Sequence, residues 1–224
     1  MKAHRVEGDI RVFLLALGLV VAFHAKPATA SDIDGLCSGA VGLSNGQWAS
    51  YAADAAFMRN KVEYRYAIVG MEAGNYWLEY EAAVPTGLGS IVMKILIPKW
   101  PHAKDEVARA MMQLPIVEGM DAIPPMEMPP SSIQKDDPAD PIRMACAEAE
   151  KGVDESVTVP AGTFSARRIP VRQMHRDVWL SSEVPFGIVK TADEEGYGSE
   201  LTAFGDDAEA AITTAPQKVP GMQE

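Results

Sequence analysis

The chain is poor in the residues that nucleophilic and metal-dependent catalysis draw on. It holds 4 histidines and 2 cysteines in 224 residues. His4 and His24 fall in the first thirty residues, leaving His102 and His175 beyond them. A zinc site needs three or four well-spaced His, Cys or carboxylate ligands, which two isolated histidines do not supply. No Gly-x-Ser-x-Gly elbow is present, and nucleophilic hydrolysis needs a Ser or Cys beside a base. His175 lies two positions from Asp177, a strand-neighbour spacing that reads as a surface histidine rather than a triad. A Cys-x-x-Cys redox motif is missing. Asp136, Asp137 and Asp140 cluster, but no glycine sits where a calcium loop would bend. The expectation is a non-catalytic protein without a cofactor or metal.

Long apolar runs and positive charge are also scarce. The longest apolar run, Val12 to Phe23, is about a dozen residues, against the ~20 a membrane helix needs. It follows a basic start (Lys2, His4, Arg5 and Arg11, diluted by Glu7 and Asp9) and precedes the small residues Ala28-Thr29-Ala30. That pattern is an export signal over 1–30, cleaved near Ala30. The expected location is periplasmic or secreted, with no transmembrane segment in the mature chain. The net charge is −11, and beyond residue 30 there are 16 basic and 29 acidic residues. An acidic surface repels nucleic acid and anionic head groups, so a nucleic-acid partner is not expected.

The remaining residues suffice for one domain with its own core. Residues 31–46 are Gly/Ser-rich and read as a flexible lead-in. Gln47 to Phe57 fits either a helix face or a first strand. Val62, Tyr64, Tyr66 and Ile68 alternate with charged neighbours, and so do Tyr76, Leu78 and Tyr80. With Ala73-Gly-Asn75 between them, these predict an antiparallel hairpin with one buried face. Pro85 to Gly89 is a connecting loop, and Ser90 to Ile97 a third strand. From His102 to Leu114, Val107, Ala110, Met111 and Leu114 recur at helical spacing, which predicts a helix opened at Pro101 and ended by Pro115.

Residues 115–141 are irregular, Pro- and Met-rich, and read as a lid or a disordered excursion. Asp140-Pro141 predicts the start of a short helix running to Glu150, with Asp140 as its cap. Strands follow at 153–159, 163–171, 176–181, 187–192 and 198–204, with a tight turn at Pro160-Ala-Gly162. Residues 207–224 read as a disordered tail. Met111, Met112, Met120, Met126, Met128 and Met144 are loosely spaced without a histidine partner, so an apolar lining is favoured over Cu(I) ligation. Cys37 and Cys146 form one pair, and in an oxidising compartment one pair points to one disulfide. Two buried free thiols are the alternative.

Three segments together carry a resemblance: Val159-Pro-Ala-Gly-Thr-Phe164, Trp179-Leu-Ser-Ser-Glu-Val-Pro-Phe-Gly-Ile-Val-Lys190 and Glu200-Leu-Thr-Ala-Phe-Gly205. With the Tyr64-to-Gly70 and Tyr76-to-Glu79 hairpin, they resemble exported bacterial proteins related to the outer-membrane lipoprotein carriers (LolA/LolB-like). The resemblance implies a mainly β (α+β) domain over 47–206, a curved antiparallel sheet or half-barrel wrapped around one or two helices. It favours a strand at Trp48 and extends a strand back through Cys146. It also implies a lipid, acyl chain, lipoprotein or other apolar ligand in the concave face. The candidate lining is Tyr64, Tyr66, Tyr76, Leu78, Ile95, Met111 and Trp179, with Met126 in the lid. The alternatives are an envelope protein that docks a protein partner and, third, a hydrolase-type enzyme.

Overall fold

Alternating apolar and polar residues need a sheet with one dry face, and here they build a single one. A computed structural model describes residues 30–54, 61–84, 89–115, 123–135 and 137–218. The expected signal segment and the 85–88 loop lie outside the described residues. The strands in chain order are β1 (Trp48–Ala53), β2 (Val62–Glu72), β3 (Asn75–Ala83), β4 (Ser90–Ile97), β5 (Arg109–Gln113) and β6 (Met126–Met128). They continue as β7 (Val153–Val159), β8 (Gly162–Val171), β9 (Arg176–Leu180), β10 (Ile188–Asp193), β11 (Gly198–Gly205) and β12 (Gln217–Lys218). The helices are α1 (Ala30–Ser38) and α2 (Asp140–Ala147).

The strand order is β12-β6-β5-β4-β3-β2-β1-β11-β10-β9-β8-β7 in one 12-stranded sheet. All neighbours are antiparallel except β12 on β6. The β2–β3 hairpin closes through Ala73 and Gly74, with φ of 49° and 85°, and Glu72 pairs with Asn75. Two consecutive positive φ values in a two-residue loop match the right-handed strand twist. The curved sheet closes over the helices, so the mainly β reading holds.

Residues paired across strands share a face. One face carries Tyr51, Tyr66, Ile68, Leu78, Ile95, Ile97, Ile169, Val178, Leu180 and Leu201, all nearly inaccessible. This concave face packs against Ile33 and Leu36 of α1 and Ile142 and Ala145 of α2. Trp100 and Phe186 fill the centre, 5.7 and 5.5 Å from the Tyr66 ring.

Five expectations change. The segment 102–114 is a loop followed by β5, not a helix. Its apolar residues also suit a strand laid beside β4, where Ala110 pairs with Ile95 and Met111 with Lys94. The lead-in is helical through residue 38, in α1, because Ile33 and Leu36 supply an apolar stripe that the core takes up. Cys146 ends up in α2 rather than a strand, and Ala139, not Asp140, holds the N-cap position of that helix, with no side-chain cap hydrogen bond. The tail is ordered through residue 218. It crosses the outer, convex face, where Ile212 is buried with Val92 and Met111. The Glu79 carboxylate accepts the N–H groups of Ala211 and Ile212 at 2.7 and 3.0 Å. Lys94 donates to the Ile212 carbonyl at 3.0 Å and pairs with Glu79 at 3.2 Å.

Cys37 and Cys146 form a disulfide with Cα atoms 5.3 Å apart, joining α1 to α2. It closes a span of 109 residues.

Candidate ligand-binding cavity

The concave face is not filled throughout. A cavity of about 510 Å³ opens where β1, β2, β9, β10 and β11 leave the helices behind. Tyr64, Tyr66 and Ile188 line its inner part, with Pro141 of α2 and Met174 at the sides. Asp54, Arg176, Asp193, Glu195 and Tyr197 surround the mouth. The volume lies in the ~300–1,000 Å³ range of small-molecule sites, and polar groups make up more than half of the lining.

Strand alternation dictates the lining. Tyr64 and Tyr66 are two apart on β2, and Arg176 shares a face with Val178 on β9. The two tyrosines are fixed by partners at either end. Tyr51 stacks on Tyr64 with ring centres 4.9 Å apart and donates its hydroxyl to the Ile188 carbonyl at 2.9 Å. Tyr66 donates to the Pro138 carbonyl at 3.2 Å, tying the sheet to the start of α2. Tyr64 donates to Ser199 Oγ at 2.9 Å, and Ser199 and Thr191 share a further hydroxyl contact of 3.0 Å. Gly198 permits the close β10–β11 approach here: a Cβ would meet the Thr191 carbonyl oxygen at 1.8 Å.

Burial pushes the phenols of Tyr51 and Tyr66 well above the ordinary tyrosine range, with neighbouring phenols adding to the effect. Burial raises Tyr64 in the same way, against the lowering effects of its Ser199 hydrogen bond and of Arg176. These phenols are neutral hydrogen-bonding surfaces at physiological pH.

The charges at the mouth are unequally partnered. Asp54 faces Lys61 at 3.8 Å and accepts the Gly198 N–H at 3.3 Å. Asp193 accepts the N–H groups of Glu195 and Tyr197 at 3.0 and 2.8 Å, which holds the β10–β11 turn. Arg176 is half-buried and makes no ion pair or hydrogen bond through its side chain among the described residues.

Of the residues expected to line a site, Tyr64 and Tyr66 do border this cavity. Tyr76, Leu78 and Ile95 share their face but lie in or against the packed core. Met126 sits in β6 beside Met112, so it is part of the sheet rather than a lid. Met111 and Trp179 are on the opposite face. Met111 pairs with Lys94 beneath the C-terminal segment, a reversal that follows from β5 being a strand. Trp179 lies between Arg168 and Lys190 in register and donates its Nε1–H to Glu155 at 2.6 Å.

Sequence reasoning did not single out Arg176, Ile188, Thr191 or Ser199. The alternation Arg176, Val178, Leu180 already put Arg176 on the buried face of its strand. A cation where an apolar residue is due was the available signal.

A second polar cluster lies at the base of α2. His102 is 1% exposed, and its Nε2 is 3.2 Å from Asp137 Oδ1, outside hydrogen-bond alignment. Arg143 donates to the other Asp137 oxygen at 3.1 Å and to the His102 carbonyl at 2.8 Å, and also pairs with Asp140. Burial alone would raise the Asp137 pKa; His102, the Ala139 N–H and Arg143 outweigh it and hold the carboxyl below its usual range. No Ser, Thr or Cys nucleophile is bonded to this histidine among the described residues, and no group of three metal-ligating side chains occurs among them.

No family model matches the chain, and no curated protein matches it. Among solved structures, a candidate exported protein of Bacteroides fragilis with a YmcC-like fold aligns at 14% identity and a TM-score of 0.32. The alignment covers 72% of this chain and 96% of that one. At that score the likeness carries no argument. No helix among the described residues is long and apolar enough to cross a membrane.

Proposed function

We propose that this is a non-catalytic exported protein of the cell envelope that holds an apolar or acyl-chain ligand in the concave face of its sheet. The observation that carries this reading is the cavity of about 510 Å³ on the concave face, bordered both by Tyr64, Tyr66, Pro141, Met174 and Ile188 and by the polar side chains of Asp54, Arg176, Asp193 and Glu195. A bonded Cys37–Cys146 pair suits an oxidising compartment and so supports export through the 1–30 signal, ending in the periplasm or outside the cell. The resemblance to lipoprotein carriers favours the same ligand class, although related folds host different functions.

The test is a fluorescence titration with the methyl ester of cis-parinaric acid, a neutral apolar probe. Wild-type protein binds it at micromolar concentration or better, and Met174→Trp, which narrows the cavity, weakens binding at least tenfold. Absence of saturable binding by folded wild-type protein rejects the reading.

A docking role for the envelope protein draws on one feature, the outer edge of β7, unpaired among the described residues, where Val153 is 65% exposed. Exposed edges recruit strands from other chains. Asp154 and Glu155 on that edge blunt it, so the cavity carries more weight.

A further inference from the structure

The mouth of the cavity has a chemistry that an entirely neutral ligand leaves unused. We infer that the ligand is an amphiphile with one compact anionic head, a carboxylate or a phosphate monoester, bound by Arg176 at the mouth while its chain lies inward along Tyr64, Tyr66 and Ile188. The inference rests on the concave-ligand reading above.

Three observations carry it. First, Arg176 lines both the 510 Å³ cavity and a hollow of about 420 Å³ bordered by Pro170, Arg172, His175 and Asp193, so it stands between the two. Second, Arg176 is half-buried yet has no ion-pair partner among the described residues, although Asp193 is its register neighbour. A partly desolvated guanidinium offers a planar fork of donors that suits a carboxylate or phosphate. The surrounding carboxylates are differently placed: Asp54 is paired with Lys61, and Asp193 is occupied by two backbone N–H groups. Third, the hydroxyls of Tyr64, Ser199 and Thr191 satisfy one another in a chain beside the cavity wall. They leave Arg176 as the cation with uncommitted donors among the described residues that line the cavity.

The same mouth limits the head. Asp54, Asp193 and Glu195 line the same cavity as Arg176, so a head with several spread negative charges meets like charge away from that cation. Repulsion of that kind discriminates as effectively as attraction selects. A single compact anion gains the guanidinium and avoids the acids.

The experiment compares cis-parinaric acid with its methyl ester, which share a chain and differ in the charge of the head. Wild-type protein binds the acid roughly tenfold or more tightly than the ester, as a charge-assisted contact implies. The preference shrinks as salt is raised, because the contact is partly exposed. Arg176→Gln removes the preference while ester binding persists, which also shows that the variant is folded. Arg176→Lys keeps part of the preference. Competition by dodecanoate and by dodecyl phosphate then separates the two heads: the stronger displacer identifies the one that fits. Equal binding of acid and ester by wild type, or a preference that survives Arg176→Gln, overturns the assignment to Arg176 and leaves the concave-ligand reading standing. If neither acid nor ester binds, both fail together.

Discussion

Asp137 shows how much rests on single buried groups. It is 3% exposed and serves His102, Arg143 and the Ala139 N–H at once. Its folded pKa lies below the ordinary carboxylate value, so its stabilising contribution is present above the unfolded pKa of about 4. That contribution is lost as pH falls through the folded value. Asp137→Asn is therefore expected to lower stability at neutral pH and to flatten its dependence on pH below about 4; urea midpoints across that range measure both effects. The buried phenols act at the other end of the scale. A spectrophotometric titration is expected to show Tyr51, Tyr64, Tyr66 and Tyr80 ionising only above the ordinary tyrosine range or on unfolding. Ionisation of every tyrosine in one step near pH 10 would contradict the burial described here.

Elements explain what the sequence made legible and what it hid. The hairpin of β2 and β3, the third strand and the run from β7 to β11 follow from period-two alternation and turn residues, and their limits fall within about two residues of expectation. The region 102–114 misled because Val107, Ala110, Met111 and Leu114 satisfy a helical period, while a five-residue strand shows too few alternations to compete. Sheet pairing with β4 decided the matter, and that partner is remote information. The same shortfall misplaced Met111, since a helix-based reading assigned it to the inner face. The lead-in and tail looked polar because each contributes few apolar residues: Ile33 and Leu36 in α1, and Ile212 in the tail. Disulfide pairing was legible from count and compartment, and the pair lies where the helices meet. Replacing both cysteines with serine is expected to cost roughly 2–5 kcal/mol, the range for removing a native cross-link. Urea denaturation of the double variant checks it. In the β2–β3 turn, Ala73 adopts φ 49°, which a side chain other than Asn or Gly resists. Ala73→Asn is expected to stabilise the protein by about 0.5–1 kcal/mol, read as a rise in the urea midpoint.

At the scale of the whole molecule, the sheet divides two tasks between its faces. The C-terminal segment covers the convex face over β3 to β5, where its backbone is held by the buried Glu79–Lys94 pair. Glu79→Leu leaves Lys94 without its ion partner and is expected to destabilise the fold by about 3 kcal/mol. Limited proteolysis should then cut after Lys218 and within 206–216 sooner than in wild type. The concave face is closed by α1 and α2 over most of its width and hollow beside β9 to β11. Tyr64 and Tyr66 were readable as inward-facing residues, whereas the hollow depends on how far the helices extend across the sheet, which no local pattern encodes.

The most direct measurement of that hollow's purpose is native mass spectrometry of the protein purified without detergent from the cells that make it. A ligand-holding role predicts a population heavier than the polypeptide by the mass of one small apolar or amphiphilic molecule, released on denaturation and absent from the Met174→Trp variant. Wild-type protein found only at its polypeptide mass, and remaining so after incubation with envelope lipid extract, would contradict a ligand-holding role for the concave face.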